Sequence, residues 1–303
     1  MRWTAVLNPA AGRGRTLRLR GAIEAALSPR GIAVEVPASA AATVDAAAAA
    51  FGRGEGVIVC GGDGTVAAVA GVAATCGGTV AVVPTGAGND FARHLGIASR
   101  RPLDAVALLD SGRVARCDLG RATVADGAVA WFTTVANVGF DGEANRWANG
   151  VRWATGTPLY VLALLRTLAT YRPVPLLVAV DGEAREVEAW LAAVANGRYY
   201  AGGMMIAPGA EVDDGCLDVC VVGPVSRAEF LLRFPRVFRG THTAVPEVET
   251  GRGRVVELDA AGAGPRLQLW ASGELVGPLP ARLEARPGAL RVLVPDRAPV
   301  TAR

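Results

Sequence analysis

The sequence predicts a doubly wound α/β domain followed by an antiparallel β-sandwich, with a cleft between the two. Three observations carry this reading. In the first third of the 303-residue chain, short apolar runs alternate with longer helical stretches, the signature of a parallel sheet covered on both faces. Several of those runs end in a glycine-rich loop. After about Arg121 the pattern changes to short alternating segments separated by Gly, Pro and Asp, as in a sandwich.

Trp3–Leu7 reads as the first strand and Thr16–Leu27 as a helix with apolar residues at helical spacing. Val34–Val36 is a second strand, and the Ala-rich helix Ala40–Phe51 is stopped by Gly52. Val57–Cys60 and Val80–Val83 are buried strands on either side of the helix Val66–Ala74, and Asp90–Leu95 opens another helix. Later strands are expected at Val129–Ala136, Leu176–Val180, Ala189–Ala195, Leu217–Val222, Arg254–Leu258 and Arg266–Trp270. Helices near Leu159–Thr170 and Arg227–Phe238 interrupt them. The last strand, Leu290–Val294, returns to the first domain. Residues 1–121 with 288–303 then form the α/β domain, and residues 122–287 the β-rich one.

Composition narrows the chemistry. The chain is 51% hydrophobic and 19% charged, with a net charge of +3. That balance folds, and it is too weakly basic to argue for nucleic acid. All 31 basic residues are Arg, which excludes a Walker-type phosphate loop and a Schiff-base lysine. His94 and His242 are the only histidines, so a His-rich metal site is excluded. Cys60, Cys76, Cys117, Cys216 and Cys220 make no C-x-x-C pair, which fits reduced, mostly buried thiols. No export or membrane segment is apparent: Asn8-Pro9 interrupts the first apolar run, and the apolar stretch from Pro158 to Ala169 contains Arg166. The expected location is cytoplasmic, with contact at the inner membrane face left open.

The strongest local signal is Cys60-Gly61-Gly62-Asp63-Gly64-Thr65, where a buried strand turns through three glycines into a helix. Glycine lets a backbone approach a ligand, and a helix start offers free amides to an anion. Asp63 would repel phosphate unless it holds a metal ion, a water or a ribose hydroxyl. The plain alternative is a tight turn. A second loop, Gly86-Ala87-Gly88-Asn89-Asp90, follows the next strand, with Asn89 or Asp90 as helix cap. A third, Asn8-Pro9-Ala10-Ala11-Gly12-Arg13-Gly14-Arg15, follows the first strand and brings two cations; solvated arginines would read the same way. Three such loops on one sheet edge favour a nucleotide site over three separate turns.

Taken together, Asn-Pro-x-x-Gly, Gly-Gly-Asp-Gly-Thr and Gly-x-Gly-Asn-Asp-Phe-Ala-Arg resemble the diacylglycerol kinase catalytic domain shared by bacterial lipid kinases and sphingosine kinases. The resemblance continues through Asn137–Asp141, Asn196–Gly203 and Ala207–Val219. It implies ATP on Asn8, Pro9, Gly12 and Arg13, on Gly61 to Thr65, and on Gly86, Gly88 and Asn89. It implies a lipid alcohol in an apolar pocket of the β-rich domain. It also implies Mg²⁺ on the Asp214 side chain with the carbonyls of Glu211 and Cys216, against the alternative of a metal-free Asp-Asp-Gly turn.

The catalytic signature expected late in such a chain is Asp-Gly-Glu. Here the stretch is Ser272-Gly273-Glu274. A serine is no base without an activating partner, so proton transfer falls to Glu274, with Asp63 organising metal-bound water. Ala87 stands where a threonine hydroxyl is expected, and Pro37-Ala38-Ser39 where another is, with Ser39 as a candidate substitute. The leading expectation is ATP-dependent phosphorylation of a lipid or other hydrophobic alcohol. The alternatives are a repurposed acid–base enzyme acting on a hydrophobic metabolite through Glu274, Asp63 and Asp141, and a non-catalytic nucleotide or lipid binder. NAD kinase shares Gly-Gly-Asp-Gly-Thr, but not the motifs after Asn137. A homodimer stays open.

Trp131, Trp147, Trp153 and Trp190 read as core aromatics before pocket walls. His94 reads as a packing residue, and His242 as a loop residue able to reach the cleft. Arg233, Arg236 and Arg239 share one face, either solvated or set against anionic lipid headgroups.

Overall fold

A computed structural model describes residues 1–97, 101–150, 157–262, 267–296 and 298–300. The parallel strands β1 (Trp3–Leu7), β2 (Ala33–Glu35), β3 (Gly56–Gly61) and β4 (Thr79–Pro84) pair in the order β2-β1-β3-β4. β3 and β4 are buried at every position, as continuous apolar runs covered on both faces must be. Helices α1 (Arg15–Arg18), α2 (Arg20–Leu27), α3 (Ala40–Gly52) and α4 (Asp63–Cys76) make the crossovers, and the short α5 (Asp90–His94) and α6 (Leu108–Ser111) follow β4.

Next come β5 (Arg113–Val124), β6 (Val129–Phe132) and β7 (Val135–Gly139), then α7 (Phe140–Gly150) and α8 (Thr157–Thr170). β8 (Val174–Val180), β9 (Glu183–Ala189), β10 (Leu191–Ala195) and β11 (Leu217–Val222) lead to α9 (Arg227–Arg233) and a 3₁₀ turn over Phe234–Arg239. The chain closes with β12 (Val248–Gly253), β13 (Val255–Ala260), β14 (Gln268–Ala271), β15 (Glu274–Pro278) and β16 (Ala281–Val294).

Two sheets result. The first runs β2-β1-β3-β4-β16-β13-β8-β9, with β5 and β6 attached through β16; the second is antiparallel, β12-β11-β10-β7-β14-β15. One core lies between the parallel strands and their helices, and includes Ile23, Ala47, Val59, Val69 and Phe91. Another fills the space between the two sheets, where Phe132, Val138, Leu176, Val194 and Leu258 meet.

Several elements differ from expectation. β5 and β16 are long strands that pair with each other from Arg113↔Val294 to Val124↔Ala281, with a register shift between Arg286 and Leu290. They link the parallel strands to the sandwich, so the first sheet is continuous from one to the other. The predicted final strand is only the end of β16, which pairs in parallel with β4 at Arg291 and Val292. The helix expected from Thr16 to Leu27 is split at Leu19, and the strand expected over Val129–Ala136 bends at Thr133-Thr134 into β6 and β7. Helix α7, punctuated by Gly142 and Gly150, was not expected. Trp153 and Arg266 lie outside the described residues. No described helix is long and apolar enough to cross a membrane.

Candidate active site

Strand order sets the site. β1 is flanked by β2 on one side and β3 on the other, so the chain reverses direction across the sheet between them. Such a switch point opens a crevice at the carboxyl ends of the strands. Leu7 pairs with Cys60 and Gly61 with Pro84, so all three glycine loops leave the sheet side by side. The Asn8 amide donates to Cys60 O (3.1 Å) and its Nδ2 to Thr65 Oγ1 (2.8 Å). Thr16 and Thr85 share a buried hydroxyl–hydroxyl bond of 2.6 Å.

The glycines make this convergence possible. A Cβ on Gly86 would stand 2.3 Å from Gly62 Cα, and one on Gly12, whose φ is +59°, only 2.5 Å from Thr85 O. The loops therefore pack backbone on backbone. Gly62 offers no side chain to the first turn of the 14-residue α4, which leaves that turn's amides for an anion. Pro9 is half-buried beside Asn8; Arg13 is exposed at the loop tip with φ +54°. Ser39 caps α3 by accepting the Ala42 amide (3.1 Å), and Ala87 is exposed.

Asp63 does something the sequence did not suggest. Its Oδ1 accepts the Phe91 amide at 3.1 Å, tying the first turn of α4 to the start of α5. Asp90 is buried beside it, and its Oδ2 accepts the Gly202 amide at 2.8 Å. A Cβ on Gly88 would meet both carboxylates, at 2.9 and 3.0 Å. Burial raises Asp63 above the ordinary carboxylate range. Burial and then the charge of Asp63 push Asp90 up to about 6, with Arg93 Nε 3.5 Å away offsetting part of it.

Ser272 and Gly273 form the two-residue turn between β14 and β15, with φ of +48° and +84°. Two successive left-handed residues are what a type I′ hairpin demands, and Asn-Gly or Asp-Gly suits it best. The Ser272 Oγ is buried without a hydrogen-bond partner. Glu274 begins β15 and faces α4: a Cβ on Gly64 would stand 3.0 Å from its Oε1. Burial raises the Glu274 pKa.

Two residues before that turn, Trp270 lines a cavity of about 600 Å³ with Trp147, Arg166, Thr167, Tyr171 and Leu267. It lies among α7, α8 and the end of the second sheet. Trp147 is thus a cavity wall, whereas Trp131 packs on Gly71 and Trp190 sits in an aromatic cluster with Phe140 and Phe230. His94 is buried, lowered to about 4 by burial and then by Arg198, whose backbone amide its Nδ1 accepts (3.3 Å). His242 is also buried, with Nε2 3.1 Å from Ile206 O, so it does not open onto the cleft.

The acidic turn meets α5, where Glu211 Oε2 lies 3.7 Å from His94 Nε2. Asp214 Oδ1 accepts the Cys216 amide (2.9 Å), its Oδ2 is paired with Arg252, and Glu211 is paired with Arg198. No group of three His, Cys, Asp or Glu side chains clusters as a metal cage among the described residues. Asp214 thus has one oxygen on the Cys216 amide and the other against the exposed Arg252, which a cation held by Asp214 with the Glu211 and Cys216 carbonyls would displace.

The sequence model of the diacylglycerol kinase catalytic domain matches residues 2–122, and that of the YegS C-terminal NAD kinase beta sandwich-like domain matches residues 134–294. The diacylglycerol kinase of Mycobacterium tuberculosis is 37% identical over 297 residues, covering 96% of this chain and 94% of that protein. The chain belongs to the diacylglycerol kinase family. A second family member, the probable YegS-like lipid kinase of Stenotrophomonas maltophilia, is 31% identical over 252 residues and covers 80% of each chain. The crystal structure of a diacylglycerol kinase from Bacillus anthracis shares the fold, with a TM-score of 0.72 at 20% identity over 97% of both chains.

In this family member, Asp90 and Gly202 stand in motifs visible in the sequence, but the bond between them was not foreseen, and Arg166 was read only as a charge within an apolar stretch. Asp90 was read only as a cap. The available signal was a second carboxylate two positions after a glycine, repeating the pattern of Asp63.

Proposed function

We propose that the chain transfers the γ-phosphoryl group of ATP to a hydroxyl of a lipid alcohol held in the cavity between α7, α8 and β14. One observation carries this reading: a single hairpin joins the two halves of the reaction. Its turn sets Glu274 against the first turn of α4, and its strand sets Trp270 in the cavity wall.

ATP supplies the transferable group. The amides of Gly62 to Thr65 and of Gly12 bind its phosphates, with Arg13 and Arg15 adding positive charge. The acceptor oxygen attacks the γ-phosphorus, the bond to the bridging oxygen of ADP breaks, and the acceptor proton passes to Glu274. A carboxylate raised by burial is a better base than an ordinary one. Ser272 shapes the turn and does not take the proton. Asp63 positions the second glycine loop through Phe91. Mg²⁺ enters on the nucleotide, and the Asp214 turn would at most hold a structural cation outside the transfer itself.

The test is Mg²⁺-dependent ATP consumption by the full chain in mixed micelles with and without diacylglycerol, with the phospholipid product identified. Consumption should rise with the lipid and a phosphorylated lipid should appear. ATP turnover indifferent to any lipid alcohol, or none at all, would sink the proposal.

A further inference from the structure

Thr16 and Thr85 are both closed to solvent, and their hydroxyls meet beneath the three glycine loops. Burying two hydroxyls costs free energy unless each is bonded, and a pair of valines would fill the same space without that requirement. Each hydroxyl has one proton to give. Thr16 gives its proton to Ala11 O at 3.2 Å, so the 2.6 Å bond between the pair is donated by Thr85. A chain of bonds thus runs from Thr85 through Thr16 to the first loop.

Its effect falls on the peptide unit at its end. A trans peptide is planar, with C=O and N–H on opposite sides. Thr16 holds Ala11 O with its hydroxyl and with its amide (3.4 Å). The N–H of that same unit belongs to Gly12, and it is turned the opposite way, away from the buried pair. The Ala10 and Ala11 amides are taken by Asn8, and a Cβ on Gly12 would strike Thr85 O.

Thr85 does the same for the second loop with its backbone. Its amide and that of Gly86 donate to Gly61 O at 3.0 and 3.2 Å. Gly61 O therefore faces β4. The N–H of the Gly61–Gly62 unit faces the other neighbour of β3, the β1 side, where the first loop leaves the sheet. One residue fixes two carbonyls, and through them the directions of two amides in different loops. Ala87, two positions on, is exposed and has no hydroxyl, so the hydroxyl this loop contributes is the buried one of Thr85.

We propose that Thr85 is a positioning residue for phosphate binding, acting through Thr16 and Ala11 on the Gly12 amide and through Gly61 on the Gly62 amide. This role presupposes that the glycine loops hold ATP, and it deepens that reading: the phosphate-facing amides are aimed before the nucleotide arrives, so little binding free energy goes to ordering them.

The experiment is calorimetric titration of MgATP into the full chain, without lipid, for the parent, T16V, T85V and T16V/T85V, with a thermal melt of each. Valine keeps the shape of threonine and removes the hydroxyl. T16V leaves the Thr85 proton without its acceptor and Ala11 O without its hydroxyl donor. It should melt lower and bind MgATP roughly tenfold more weakly, the loss of one well-aimed hydrogen bond to a charged group. T85V keeps the bond from Thr16 to Ala11 O and should lose about threefold. The double variant separates aiming from stability. With both hydroxyls gone neither is left buried and unpaired, so the melting temperature should return toward that of the parent, while MgATP binding stays roughly tenfold weaker. Affinity that recovers with the melting temperature in the double variant, or T16V binding MgATP as the parent does, overturns the proposal. A parent that binds no MgATP removes the ATP reading of the loops and the positioning with it. Parent binding with the expected losses, but no lipid phosphorylated in micelles, would keep the positioning and remove only the transfer.

Discussion

Glu274 lies against the backbone of Gly64: a side-chain carbon at Gly64 would stand 3.0 Å from Glu274 Oε1 and 3.1 Å from its Cγ. The first turn of the helix proposed to hold the nucleotide and the proposed base are thus within one atom's width of each other. Gly64→Ala is the most direct probe. Alanine is the better helix former by about 1 kcal/mol, so the melting temperature should hold or rise. The displaced carboxylate should nevertheless cost on the order of tenfold or more in kcat. Thermal melts and kcat measured on one preparation check both halves; a fall in stability matching the fall in rate would make the glycine merely structural.

Glu274→Gln removes the proton acceptor while keeping the shape. Loss of a general base costs on the order of 10² to 10⁴ in rate, so kcat should fall by at least about a hundredfold with the KM for ATP little changed. Burial raises the Glu274 pKa, and a base works only when deprotonated. In the parent, kcat should therefore climb with pH through a value above the ordinary carboxylate range. The variant should lose that limb, and a variant that keeps it would assign the titration elsewhere.

Ser272→Asp restores an acidic residue to a turn whose backbone already suits it. Ser272 has φ +48° and precedes Gly273 at φ +84°, and Asp tolerates the left-handed region better than most residues. The serine hydroxyl makes no hydrogen bond, so none is lost. The melting temperature should move little and kcat should rise on the order of tenfold, as read by single-turnover transfer to diacylglycerol. A stable variant with an unchanged rate would leave Glu274 as the sole base.

Gly86→Ala tests the contact between loops. Its Cβ would sit 2.3 Å from Gly62 Cα, backbone against backbone, so the two loops must part. Overpacking of this kind costs about 1–3 kcal/mol, and the KM for ATP should rise with it. Gly209→Ala, where nothing lies within 4 Å, serves as the neutral control. Equal behaviour of the two variants would show that the loops are free to separate.

What could be read from the chain, and what could not, follows from the range of the interactions. β3 and β4 are continuous apolar runs, and each glycine loop is a local pattern, so both are visible in a few residues. β5 and β16 are not. Arg113, Arg116 and Arg121 on one, and Arg282, Glu284 and Arg286 on the other, look like solvated loops until the strands pair and the charges alternate outward. A register shift in mid-strand hides their length further. The Asp90–Gly202 bond joins residues 112 positions apart, and no local signal announces it. The capping role of Ser39 was legible as helix chemistry and was overlooked in favour of ligand contact.

Asp90 should leave its mark on pH dependence. An unfolded aspartate titrates near 3.9, whereas burial and the charge of Asp63 push Asp90 up to about 6. Between those values the native state holds a proton that the unfolded state has released. This contribution to stability therefore falls as pH rises from about 4 to about 6, and the cost persists above that. His94 works in the opposite sense: burial lowers it to about 4, so below about 6.5 the unfolded state takes up protons first and stability rises with pH. The two slopes oppose each other in the parent. Asp90→Asn keeps an oxygen for the Gly202 amide and removes the falling slope. It should be more stable than the parent at pH 7 by about 1–3 kcal/mol, with the gap closing toward pH 4 and its own stability climbing between pH 4 and 6.5. Urea unfolding of both proteins across that range checks the sign. A gap of the same size at pH 4 and pH 7 would mean that Asp90 does not hold the proton.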